Sequence, residues 1–76
     1  MRIRIYLEKH SDACRLAEIA SGLPENEHIR IMDGNGLVAN ARSVLGALSA
    51  MEFNELWLES EKDYYIQFKD FIKMED

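Results

Sequence analysis

The hydrophobic period of this chain alternates between two and about 3.6 along its length, and that alternation limits which layers can form. Met1, Ile3, Ile5 and Leu7 alternate with Arg2, Arg4, Tyr6 and Glu8, the pattern of a strand with one buried face. After the polar loop 9–12 the period lengthens. Ala13, Leu16, Ala17 and Ala20 share one helical face, with Ile19 at its margin. Ser11 or Asp12 is the expected N-cap, and Gly22 and Pro24 stop the helix. Residues 28–32 read as a second strand, Asp33-Gly34-Asn35-Gly36 as a hairpin turn, and 37–41 as the return strand. Ser43 caps an expected second helix over 44–51. Residues 54–59 form a fourth strand, with Leu56 and Leu58 on one face and Trp57 on the other. Tyr64, Phe68, Phe71 and Ile72 recur at helical spacing and predict a last amphipathic helix, capped near Asp63.

The resulting order, β-α-β-β-α-β-α, favours an α+β fold. Its helices would pack on one face of a four-stranded, mainly antiparallel sheet. The other face would be solvated and polar, which suits Arg2, Arg4 and Arg30. With 76 residues there is room for one hydrophobic core, so 1–76 reads as a single domain.

The net charge of −5 argues against a nucleic-acid binder, which needs Lys and Arg to meet phosphates. The charge is unevenly divided. Residues 1–42 hold six basic and six acidic side chains, whereas 43–76 hold three and eight. No apolar run approaches the ~18 residues of a membrane span. The alternating start is no signal-peptide core, so a cytoplasmic location is expected. Cys14 is the only cysteine, which rules out an internal disulfide. A small buried cysteine is its expected state. No two histidines or carboxylates show metal-ligand spacing, and nothing calls for a cofactor. His28, beside a strand, reads as a surface residue.

The stretch 35–49, NGLVANARSVLGALS, resembles the histidine-containing phosphocarrier (HPr) family. There a hairpin and third strand lead into a basic residue, a serine, two apolar residues and a glycine. Here these are Arg42, Ser43, Val44, Leu45 and Gly46. Element order and length agree over nearly the whole chain. The family's other hallmark, Gly-(aliphatic)-His-x-Arg-Pro at the start of the first helix, is altered to Glu8-Lys9-His10-Ser11-Asp12-Ala13. Counting from the first strand puts His10 at the histidine position, and counting back from the helix puts Lys9 there. In neither register does a cation replace the arginine.

The resemblance implies a protein of the bacterial phosphoenolpyruvate-dependent sugar phosphotransferase system. It would be either a divergent phosphocarrier or a carrier-derived regulator, and not itself an enzyme. It makes His10 the candidate phosphoryl acceptor, with Lys9, Ser11 and Arg15 as anion support. Ser43 becomes the candidate regulatory phosphorylation site, and Val44, Leu45 and Leu48 the partner-docking residues. The partners would be phosphotransferase-system or regulatory proteins, neither nucleic acid nor membrane. It also requires 9–12 and Ser43 to be neighbours on one surface, and the HPr reading fails if they are not. The alternative is a non-phosphorylated acidic interaction module sharing only the fold.

Overall fold

A computed structural model describes residues 1–72. The elements are β1 (Arg2–Arg4), α1 (His10–Ser21), β2 (Ile29–Met32), β3 (Val38–Asn40), α2 (Val44–Ala50), β4 (Trp57–Ser60) and α3 (Tyr65–Phe68), the last followed by a 3₁₀ turn over Lys69–Phe71. The class is α+β. The four strands form one sheet in the order β1-β4-β2-β3, and every neighbouring pair is antiparallel.

The register shows how the period-two pattern is spent. Ile3, Leu58, Ile31 and Ala39 lie opposite one another across the sheet and face the helices. Leu58 and Ile31 are fully buried there, against Ala13, Leu16, Ala17 and Ala20 of α1 and Ala47 and Ala50 of α2. Burying each of the larger side chains stabilises the fold by about 2 kcal/mol. The small alanines let α1 and α2 lie close to the sheet and to each other.

Several expected boundaries move, among them the fourth strand, which runs over Trp57–Ser60 where 54–59 is expected. The first helix begins at His10 with Lys9 as N-cap, so Ser11 and Asp12 are inside the first turn. The C-terminal segment is a single α-helical turn that tightens into 3₁₀, where one continuous helix was expected. Tyr64, Phe68 and Phe71 are still buried as their spacing implies, while Ile72 ends the turn in extended backbone. The Phe71 carbonyl accepts from the Tyr6 amide at 2.8 Å, which ties this segment to the chain beyond β1.

In the hairpin, Asp33 Oδ1 accepts from the amides of Asn35 and Leu37 at 2.7 and 2.9 Å. Gly34 and Gly36 supply the positive φ of the turn, 85° and 107°. Behind the sheet Glu27 is buried. It accepts a hydrogen bond from the Tyr64 hydroxyl and lies 3.8 Å from Lys62 Nζ, joining the approach to β2 with the approach to α3.

Candidate functional site

The residues that the sequence singles out lie at the starts of two helices, and the two starts are built differently. At α1 the carboxylate of Asp12 reaches back and accepts from the backbone amides of Lys9 and Glu8, at 3.0 and 3.1 Å. This is one half of a capping box, in which a third-position acid takes the donor of the capping residue. Those two hydrogen bonds, aided by Arg15 and Lys9, hold the Asp12 carboxyl below its ordinary pKa. The first turn therefore already contains a fixed negative charge, supplied by the chain itself.

His10 is the first residue inside α1 and is exposed, as are Lys9 and Ser11. Arg15, a candidate for anion support, is committed elsewhere. Its guanidinium lies 3.3 Å from Asp70 and 3.9 Å from Asp12, and it stands over the Phe71 ring at 5.4 Å from the centroid. A phosphoryl group on His10 would join a first turn that already holds the Asp12 carboxylate, with Arg15 already shared between two carboxylates. Cys14, expected buried, is exposed instead, because it falls off the Ala13-Leu16-Ala17 stripe. It lies one turn from His10, and no hydrogen bond joins them among the described residues. His28 is exposed.

At α2 the Ser43 hydroxyl accepts from the Gly46 amide at 3.1 Å, and no acidic side chain stands in the first turn. Arg42, just before it, acts as a clasp. Its guanidinium donates to the carbonyls of Ala20 and Leu23 at 2.8 and 3.0 Å, of Glu27 at 2.9 Å, and of Pro24. These groups include the end of α1, whose last carbonyls have no partner within the helix. Gly46 is required by packing. A Cβ there would meet the Asn40 carbonyl oxygen at 2.5 Å, so the helix rests directly on the end of β3. The three motif positions Arg42, Ser43 and Gly46 thus all have work in holding α2 against β3 and α1.

The apolar residues after Ser43 divide. Leu45 is 77% exposed and Val44 45%, whereas Leu48 is partly buried against the core. Only the first two form a free apolar surface.

The two helix starts are not adjacent. Ser21 Oγ, in the last turn of α1, donates to the Arg42 carbonyl at 3.1 Å, which puts Ser43 beside the end of α1. His10 is at the other end, about 16 Å away along the axis at 1.5 Å per residue. The expectation that 9–12 and Ser43 would be neighbours is corrected: the helix between them keeps them apart. Among the described residues no group of three or more His, Cys, Asp or Glu side chains could hold a metal ion, and no helix is long and apolar enough to cross a membrane.

Two of these features escape sequence reading. The clasp by Arg42 has no periodic signature, since its partners are backbone carbonyls from a distant segment. The capping role of Asp12 is hidden because Lys is not a preferred N-cap, although an acid three residues after the cap was a usable signal. Comparison with family models, with curated proteins and with solved structures finds no match to this chain.

Proposed function

We propose that this chain is a non-phosphorylated acidic protein-interaction module that docks partners through the start of α2 and does not carry a phosphoryl group on His10. The observation that carries this reading is the Asp12 carboxylate seated on the amides of Glu8 and Lys9. Phosphoryl transfer to a histidine at a helix start relies on those donors, or on nearby cations, to stabilise the incoming charge. Here the amides of Glu8 and Lys9 are taken, and by a group that is itself negative.

The element order and the run Arg42-Ser43-Val44-Leu45-Gly46 support an HPr likeness, but Ser43 lies a helix length from 9–12, against the juxtaposition that likeness requires. Exposed Val44 and Leu45, next to a capping serine, have the apolar-with-polar-rim character of a docking patch. Arg42, Ser43 and Gly46 each have a local structural reason to be present, so the run needs no shared lineage to explain it. A second reading keeps the lineage: an HPr-like, carrier-derived regulator with phosphotransferase-system or regulatory proteins as partners and a cytoplasmic location.

Both readings meet one experiment. The isotope-labelled chain is mixed with phosphoenolpyruvate and the phosphotransferase system's phosphoenolpyruvate-dependent enzyme, then followed by amide shifts and intact mass. No mass change and no shifts at Val44 and Leu45 are the expected result. A mass gain of one phosphoryl group, abolished in His10→Ala, would overturn the proposal. Shifts at Val44 and Leu45 without a mass change would make the HPr-like regulator the better account.

A further inference from the structure

The sheet face opposite the helices, uncovered among the described residues, carries chemistry that the helix layer does not use. Strand pairing sets Arg2, Glu59, Arg30 and Asn40 in one row across it, and Arg4, Trp57, Met32 and Val38 in the next. The Arg2 guanidinium stands over the Trp57 ring at 5.3 Å from its centroid. Arg4 stands over the same ring at 5.7 Å and over Tyr6 at 5.4 Å. Such stacking fixes the guanidiniums in place without neutralising them.

Charge pairing on this face is incomplete. Arg30 lies 3.9 Å from Glu59, but among the described residues no carboxylate comes within 4.0 Å of Arg2 or Arg4. Glu55, at the rim, accepts from the Trp57 indole N–H at 3.0 Å. Three arginines against Glu59 make this face locally positive on a chain whose net charge is −5. A cation left unpaired on an acidic protein marks a place where an opposite charge is missing.

We propose that the uncovered sheet face docks a carboxylate-rich segment of a partner protein, with Arg2 and Arg4 as its anchors. The planar fork of arginine matches a carboxylate bidentately, and two forks held on one ring present that match without a large loss of side-chain freedom. Beside them Met32 and Val38, the latter 52% exposed, offer apolar contact to the side chains between the acids. Charge complementarity thus selects an acidic segment with interleaved apolar residues. Single-stranded nucleic acid fits less well. Base stacking needs an open aromatic face, and here two guanidiniums stand over the Trp57 ring. The acidic remainder of the molecule would also repel a phosphate backbone.

Trp57 is the only tryptophan, so its emission reports on this face directly. The full chain is titrated with a short synthetic peptide alternating Glu with Leu, and with the same peptide carrying Lys for Glu. A saturable change with the Glu peptide alone is expected. Its affinity should fall by at least about tenfold in Arg2→Gln/Arg4→Gln, a loss readily read from the titration midpoint. It should also weaken as salt is raised. Circular dichroism checks the fold of the double variant, and the exposed single variant Arg2→Gln replaces it if that fold is lost. Any of four results overturns the proposal: no saturable change, equal binding of both peptides, an affinity indifferent to the arginines, or tighter binding of oligothymidylate. Arginine-dependent self-association of the chain alone, seen by sedimentation, would show a second copy as the occupant and overturn it too.

Discussion

At the start of α1 the free amides of Glu8 and Lys9 end on a carboxylate, whereas at the start of α2 the amide of Gly46 ends on a hydroxyl. Both arrangements satisfy donors that a helix cannot satisfy for itself. They differ in charge and in surroundings. The Asp12 carboxylate fills the first turn with the sign a phosphoryl group would bring, offset by Lys9 and by Arg15, the latter shared with Asp70. Ser43 leaves its turn neutral, followed by two exposed apolar side chains. One start is closed by its own chain, and the other is kept in place by neighbours while its outer surface stays free. The comparison teaches that a helix start can keep its place in a fold while its chemistry is replaced.

Breaking the clasp should have the largest effect. Arg42→Met strips a donor from four carbonyls around the end of α1; those of Ala20 and Pro24 keep the amides of Leu23 and Glu27, while those of Leu23 and Glu27 keep none among the described residues. A loss of about 3 kcal/mol is expected from chemical denaturation, in the range for breaking a partly buried charged network. If the loss is only a few tenths, Arg42 is not what holds the two helices together. A smaller effect sharpens the same contrast. Ser43→Ala should cost about 1 kcal/mol, the usual value of a lost N-cap, while Ser43→Asp should stay near the parent. A drop in Ser43→Asp as large as that in Ser43→Ala would mean the hydroxyl does more than accept from Gly46.

Much of the fold was legible because burial follows period. Ile29, Ile31, Leu56 and Leu58 alternate and are buried, and Ala13, Leu16, Ala17 and Ala20 fall on one helical face as their spacing requires. The C-terminal segment reads as one helix because i, i+4 spacing does not distinguish a long helix from an α turn that runs into 3₁₀. The candidate site was less legible. Sequence spacing identifies helix starts but not which donors are already occupied, nor whether two helices run antiparallel so that His10 and Ser43 end a helix length apart. Leu48 was grouped with Val44 and Leu45 on apolar character alone, and only packing separates them. The stacking of Arg2 and Arg4 on Trp57 depends on a register between strands distant in sequence, which no local pattern encodes.

The claim that the first turn of α1 is closed by Asp12 has a direct measurement. Because the folded carboxyl is held below its ordinary value near ~3.9, its contribution is fully present above that pH and is lost as pH falls through the lowered folded value. Side-chain carbon shifts of Asp12, recorded with the amide shifts of Glu8 and Lys9 from neutral to acid pH, follow the carboxyl and its two donors together. The account predicts that all three move in one transition below the ordinary carboxylate range, and that inorganic phosphate at neutral pH disturbs neither amide. An Asp12 that titrates at or above its ordinary value, or Glu8 and Lys9 amides that shift on adding phosphate, would contradict it.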